Sequence, residues 1–355
     1  MSVDSISLPH VSIAIPVFNL ERYVADALMS VQLQSYQGQI SVIVCDDGST
    51  DRSLEVVRRI ADRADNIYVY RHENQGRALT RNRLLDLAKT ELVAWLDGDD
   101  LASSRWIEDQ VAFLQANEDC VAVSAHGYAM SAKNHAISPI KHPLDGEEID
   151  RLHLSGQASA FFQSCVLVKK SAVQKAGAYD PQYHCAEDYS LWLRLAEVGR
   201  LANIDAYHLF YRVHSTSANW TLNIEQRTQG HLVMNQARVR RGLEQMIQPS
   251  LDIPLPQKDD WDRRIYWINT ALKSGNPYSA IRMLFLAIRL HPSSLLLWLF
   301  AVISICDCLL FGGNTVASFG PGKTLSTDVR SLPRISCYRL FRFANRQRRR
   351  LLGKH

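Results

Sequence analysis

Leu92-Val93-Ala94-Trp95-Leu96-Asp97-Gly98-Asp99-Asp100 is the stretch on which the reading of the fold turns. A short apolar run closed by Asp and Gly reads as a buried strand leaving the core into a tight turn. Three similar runs precede it, starting near Val11 (VSIAI), Ile40 (ISVIVC) and Ile67 (IYVYR). Their spacing, roughly 25–30 residues, is the length of a βαβ unit. Helical periodicity fills the gaps. Val24, Leu28 and Val31 recur at i, i+4, i+7, as do Leu54, Val57 and Ala61 behind the capping types Ser49, Thr50 and Asp51. A third helix runs from about Arg77 to Lys89. Alternating helices and apolar strands predict a Rossmann-like α/β fold, its mostly parallel sheet covered by helices on both faces.

Downstream, the pattern predicts a helix from Ser103 or Ser104, a strand near Val121–Ser124 and a loop-rich insertion over 131–160. It continues with a strand at Cys165–Lys170, a turn at Ala176–Asp180, a helix from Tyr189 to Val198 and a last strand at His208–Val213. Residues 222–248 read as a polar helix, Pro249–Gln257 as a proline-bearing linker, and 261–290 as two helical stretches broken at Gly275–Pro277. This divides the chain into a main domain (1–220), a helix and linker (221–260) and a helical C-terminal region (261–355).

The composition is that of a globular protein, with 46% hydrophobic and 21% charged residues among 355, which excludes wholesale disorder. Its net charge of +4 is unevenly placed: from Arg330 onward there are nine basic residues and no acidic one, leaving 31 basic against 36 acidic before it. Seven cysteines are scattered, with no zinc-site or disulfide-framework spacing. The N-terminal segment lacks the pattern of a secretory signal, so a reducing cytosol is expected for the main domain. Leu295–Phe311 is apolar but interrupted by Asp307. With Arg282 and Arg289 before it and the basic tail after it, a shallow insertion fits better than a crossing, a buried helix being the alternative. The tail RLFRFANRQRRRLLGKH suits an anionic membrane surface. Peripheral attachment to the inner face of the cell membrane is therefore expected, with no nucleic-acid partner.

In sheets of this kind ligands bind beyond the carboxyl ends of the strands. Those ends carry Pro16-Val17-Phe18-Asn19, Asp46-Asp47-Gly48-Ser49 and Asp97-Gly98-Asp99-Asp100. Two acidic clusters on one edge repel each other unless a cation or donors share them. Asp97 and Asp99, separated by glycine, suit a hard divalent ion with diphosphate oxygens completing its shell. Asp46 and Asp47 can accept from a base N–H or ribose hydroxyls, or else cap the following helix. Arg81, near a helix N-terminus, suits a diphosphate. Pairing with the aspartates is the structural alternative for it.

Taken in order, IPVFN, CDDGSTD, NQGRALTRN, WLDGDD, AGAYD…AEDYSLWLRLAEVG and YRVHSTSAN resemble glycosyltransferase family 2, the inverting enzymes of GT-A fold, over about Val11 to Asn219. The resemblance implies a nucleotide-sugar donor, UDP-linked by default, a Mg²⁺ or Mn²⁺ cofactor and a glycan or lipid-linked acceptor. It implies that Asp47 contacts the base with Asp46 supporting the turn, and that Pro16 and Phe18 line the nucleotide pocket. Asp97 would face the ribose and the metal, Asp99 would be the principal metal ligand, and Asp188 the catalytic base. Arg212 and His214 match a loop near the diphosphate, with His214 a further candidate ligand. A dehalogenase-type phosphohydrolase using Asp97 and Asp99 is an alternative, though Leu101 stands where Thr or Val is wanted. A non-catalytic sugar- or RNA-binding module is another. No GxGxxG follows an early strand, which disfavours a dinucleotide dehydrogenase.

Overall fold

The computed structural model describes residues 8–214 and 223–247, together with individual positions between Trp267 and Ile288. β1 (Val11–Val17), β2 (Ile40–Asp47), β3 (Ile67–His72) and β4 (Leu92–Trp95) form the parallel half of one sheet, in the order β3-β2-β1-β4. Val11 lies opposite both Ile40 and Leu92, so the strand ends bearing Pro16, Asp46 and Asp97 finish on one edge. Beyond β4 the sheet continues through β8 (Val166–Lys169), β6 (Cys120–Ser131), β9 (Arg200–Val213) and the short β5 (Leu101–Ala102). β8 runs antiparallel to both its neighbours, whereas β6 and β9 pair in parallel. Counted by paired residues the sheet is thus mostly parallel, as the strand and helix alternation predicts.

Side chains of β1 alternate between two cores, as period-2 geometry requires. Val11, Ile13 and Ile15 pack with Val24 and Leu28 of α1 (Val24–Gln32), Val57 of α2 (Ser53–Ala61) and Trp106 of α4 (Trp106–Ala116). Ala14 joins Trp95, Leu84 and Leu85 of α3 (Arg77–Leu87), and Leu191 and Trp192 of α7 (Glu187–Leu195), on the opposite face. Helices on both faces explain why these strands are apolar throughout.

Several expected boundaries move. The 131–160 region is not loop-rich: it holds β7 (Ala136–Ile140), which pairs with β6, and α5 (Gly146–Leu154). β7 carries Pro139, which masks a strand in sequence and is tolerated because β7 pairs on one side. α5 is marked by its cap rather than its apolar face, since Asp145 accepts from the Glu148 N–H at 3.0 Å. Strand β6 extends seven residues past Ser124 and β9 begins eight before His208, because each crosses polar residues buried by the other. α2 starts at Ser53, behind the expected capping residues, of which Thr50 donates its N–H to Asn19 Oδ1 at 2.8 Å and Asp51 Oδ1 accepts from the Ser53 N–H at 2.9 Å. α6 (Lys170–Lys175) follows β8.

α8 (Asn223–Arg240) lies against the main domain, burying Val233, Met234 and Ala237 among Tyr183, Tyr189 and Leu193. Ile268, Ala271, Leu284 and Ile288 pack with Ala129 and Ile137 of the β6–β7 hairpin. Among the described residues no helix is long and apolar enough to cross a membrane. The apolar segment 295–311, the basic tail, the linker and the break at Gly275–Pro277 lie outside the described residues.

Candidate active site

The strand ends are sewn together before any ligand is considered. Gly98 passes so close to β1 that a Cβ there would stand 2.9 Å from Leu20 Cδ1 and 3.1 Å from the Pro16 carbonyl oxygen. Asn19 takes a left-handed backbone (φ 54°), donates its N–H to Ser49 Oγ at 3.0 Å and accepts from Thr50 with its side chain. This fixes the turn after β1 against the turn after β2, leaving the Phe18 ring 45% exposed at the cleft mouth.

The two aspartates that end β2 are both buried. Asp46 Oδ2 accepts from the Ser49 N–H at 3.2 Å and lies 3.5 Å from Arg71 Nε, while its Oδ1 has no hydrogen-bond partner. Asp47 uses one oxygen on the Gln75 N–H (2.8 Å) and the other on the Gly76 N–H (3.1 Å). Asp46 therefore braces its own turn, and Asp47 orders the turn that launches α3. Gly48 sits at φ +70° with Asn74 N only 2.7 Å from where a Cβ would be, so glycine is required there.

Arg81 is the centre of the arrangement. It rises from α3 into the core, where its side chain is 4% exposed. Nη1 donates to Glu187 Oε1 at 2.5 Å and Nη2 to Asp97 Oδ1 at 3.1 Å, with the Tyr179 ring 5.6 Å beneath the guanidinium. Of its two possible roles, the structure holds the pairing one. Burial alone would lower its pKa, but Asp97 and Glu187 outweigh this and raise it, so it stays charged. One cation thus joins the loop after β4 to the N-terminus of α7. Glu187 is buried and held; Asp188, next along, is only half-buried.

Around the second acidic cluster the carboxylates crowd. Burial raises the pKa of Asp97, with Arg81 opposing and Asp99 adding to the rise. Its side chain nonetheless keeps 32% of its surface open to the cleft. Asp100 is buried and raised well above the usual range, first by burial, then by Asp99 and Asp97. Asp99 Oδ2 lies 2.9 Å from His214 Nε2, and the His214 ring sits 4.8 Å from that of Tyr23. Tyr211 is raised by burial and then by Asp100, Asp99, Asp97 and Asp188, four carboxylates acting on one phenol.

Arg212 is turned inward rather than toward a ligand. Its N–H donates to Asp100 Oδ1 at 2.7 Å and its Nε to the Asp99 carbonyl at 2.5 Å. The guanidinium also donates to Asn134 and lies 4.8 Å over the Tyr23 ring, with Asp26 3.8 Å away. It clamps the Asp99–Asp100 turn from below. Sequence reading missed Asn19, Tyr179 and Ser164, whose hydroxyl receives the Asp97 N–H at 3.2 Å. Asn19 and Tyr179 stood inside the motifs IPVFN and AGAYD; Asn134, Asp26 and Tyr23 carried no signal at all.

The donor set fits a divalent cation. Two carboxylates from one glycine turn face a cleft, each keeping exposed surface, and their mutual repulsion is what a cation relieves. Among the described residues, the group of three ligating side chains whose atoms already lie within 4.8 Å of one another is His184, Cys185 and Glu225, away from this turn.

Residues 12–177 match the family model for glycosyl transferase family 2. An uncharacterized glycosyltransferase of Haemophilus influenzae is 30% identical over 230 residues, spanning 61% of this chain and 88% of that protein. Among solved structures, S. aureus TarS 1–349 in complex with UDP-GlcNAc superposes with a TM-score of 0.51 at 14% identity, covering 84% of this chain and 88% of that one. The mannosyltransferase PcManGT from Pyrobaculum calidifontis, in complex with GDP-Man and Mn²⁺, gives 0.51 at 17% identity, covering 88% and 84%. At those identities the two structures speak for the fold, while the family model and the Haemophilus relative speak for descent: this chain belongs to glycosyltransferase family 2 and is a glycosyltransferase of GT-A fold.

Proposed function

We propose that the enzyme moves a sugar, with inversion, from a nucleoside-diphosphate donor, UDP-linked, to a hydroxyl of a glycan or lipid-linked acceptor. Residues 1–220 form the catalytic domain, 221–260 a helix and linker, and 261–355 the membrane-associating region. One observation carries the reading: the Arg81 guanidinium bonds both Asp97 and Glu187, so the acidic turn after β4 and the Glu187–Asp188 pair face one cleft. A phosphohydrolase needs only the first of these. The two ligand-bearing structures of the same fold, holding UDP-GlcNAc and GDP-Man with Mn²⁺, support a nucleotide-sugar donor.

Asp188 is the general base. The acceptor hydroxyl is a weak nucleophile, and a carboxylate must take its proton as the bond to the anomeric carbon forms. Glu187, neutralised against Arg81, is closed to substrate, which leaves its half-exposed neighbour for that task. Asp47, oriented by two backbone amides, presents an acceptor toward the base, and Pro16 and Phe18 wall the nucleotide. Asp99 and Asp97, with His214 beside Asp99, would hold Mg²⁺ or Mn²⁺, which when bound supplies Lewis-acid stabilisation of the departing diphosphate. Arg212 keeps the Asp99 turn in place.

Calorimetry with UDP, dTDP, GDP and CDP, in Mn²⁺ and then in EDTA, tests the donor site. Metal-dependent binding of UDP is expected, and failure of all four to bind overturns the reading. Asp99→Asn should abolish that binding with the fold intact. Asp188→Asn should bind donor normally and lose transfer by about 10²–10⁴-fold, the usual worth of a general base; retained transfer removes Asp188 from the role. Flotation of the full chain with anionic liposomes at low salt tests the membrane region, and protein staying at the bottom refutes it.

A further inference from the structure

His184 and Cys185 occupy the loop that runs into α7, and Glu225 stands in the first turn of α8. Although 40 residues separate Cys185 from Glu225, the three residues bring one nitrogen, one sulfur and one carboxylate oxygen within 4.8 Å of one another. His184 Nε2 and Glu225 Oε1 are 2.7 Å apart. One turn along the same face of α8, Gln229 holds the pair from behind. Its Oε1 accepts from the Cys185 N–H at 3.2 Å, and its amide nitrogen lies 3.1 Å from His184 Nδ1. The thiol side is buried, whereas the His184 and Glu225 side chains are 55% and 46% exposed. An ion can therefore enter from solvent and keep a coordination position for water.

We infer that His184, Cys185 and Glu225 form a Zn²⁺ site, separate from the acidic cleft, that clips α8 to the loop carrying the Glu187–Asp188 pair. The ligand set selects the ion: thiolate and imidazole favour zinc, while Mg²⁺ and Ca²⁺ prefer oxygen alone. A surface His–Glu hydrogen bond needs no thiol beside it; here three different ligand types converge, with the Cys185 backbone fixed by Gln229 Oε1. On binding, the Cys185 proton leaves to solvent and the ring proton moves from His184 Nε2 to Nδ1, which gives up its contact with the Gln229 amide N–H and donates to water instead. The inference does not depend on the donor or the base assigned above.

Full-length protein stripped with chelator and titrated with Co²⁺ reads the site directly. The expected result is a thiolate-to-cobalt charge-transfer band that saturates at one equivalent and is displaced by one equivalent of Zn²⁺. Cys185→Ser should abolish the band. Glu225→Gln, an exposed change that leaves the core intact, should weaken Co²⁺ binding about tenfold or more, and Asp99→Asn should leave the band untouched. A band that survives Cys185→Ser unchanged assigns the thiolate elsewhere and overturns the inference, as does the lack of any thiolate band in the unaltered chain.

Discussion

Replacing Arg81 by Met removes the one cation shared by two carboxylates and keeps the length of the stem. Glu187 loses a partner at 2.5 Å and Asp97 one at 3.1 Å, and the Glu187 side chain is only 2% exposed. Breaking a buried pair by removing one partner costs about 3–5 kcal/mol, and the loss here should lie toward the lower end, because Arg77 still stands 3.9 Å from the Glu187 carboxylate. The sign of the pH dependence follows from the same groups. Burial already raises the pKa of Glu187 and Asp97 against the pull of Arg81. A carboxyl raised in the folded state stabilises fully below its unfolded pKa and loses that contribution as pH rises through the folded value. Without Arg81 both rise further, so the penalty should be small near pH 4 and approach its full size by pH 7. Urea unfolding of the Arg81→Met protein across that range measures it, and Arg81→Met combined with Glu187→Gln should recover about 1–3 kcal/mol at pH 7 by removing the stranded charge. A loss below 1 kcal/mol at pH 7, or no recovery in the double variant, would show that the bridge does not hold the two halves of the site together.

Other outcomes follow from the packing. Gly98→Ala sets a methyl 2.9 Å from Leu20 Cδ1 and 3.1 Å from the Pro16 carbonyl, and the carbonyl cannot swing aside. The variant should lose about 1–3 kcal/mol of stability and, by splaying the two strand ends, bind UDP with Mn²⁺ more weakly than the parent in calorimetry. Acid should cost stability through two buried histidines. Burial pushes His142 down to about 4 and His153 down to about 3. An unfolded histidine near 6.5 takes a proton that these folded ones refuse, so stability falls as pH drops below about 6.5, by about 2 kcal/mol for each at pH 5. His153→Gln should flatten the urea midpoint against pH between 7 and 5, and an unchanged slope refutes the assignment.

The parallel half of the fold was legible because β1, β2 and β4 are largely buried on both faces, which writes itself as continuous apolar runs, while the half-exposed edge strand β3 shows through its β-branched and aromatic residues. β6 and β9 were read short for the complementary reason. Their middles cross His126, Gly127 and Asn203, which interrupt any apolar pattern yet pair with the opposite strand. α5 hides for a related reason, since its buried side includes His153, a polar type packed beside the Tyr189 ring, as well as Ile149. A pattern of hydrophobicity records contacts made with apolar groups; it is silent where a residue is buried by hydrogen bonding.

That silence is also what divides the legible from the illegible part of the site. Acidic residues at strand ends announce a ligand edge, because nothing in a sheet's own packing calls for them. Which of them meet the ligand and which brace the others is a matter of burial, and Asp46, Asp47, Asp97 and Asp99 are chemically the same residue. Arg81 and Arg212 show the point most clearly. Both are arginines beside acidic turns, the residue type that grips diphosphate, and both are instead sunk among protein partners. Arg81 bridges Asp97 and Glu187, and Arg212 clamps the turn at Asp99 and Asp100. Their charge is consumed in holding like charges close to one another. A cleft that gathers this many carboxylates on the face meant for an anionic donor is stable without ligand only because internal cations offset part of the repulsion. The carboxyl groups that remain partly open are those of Asp97, Asp99 and Asp188, the same ones proposed above for the cation and for the acceptor's proton.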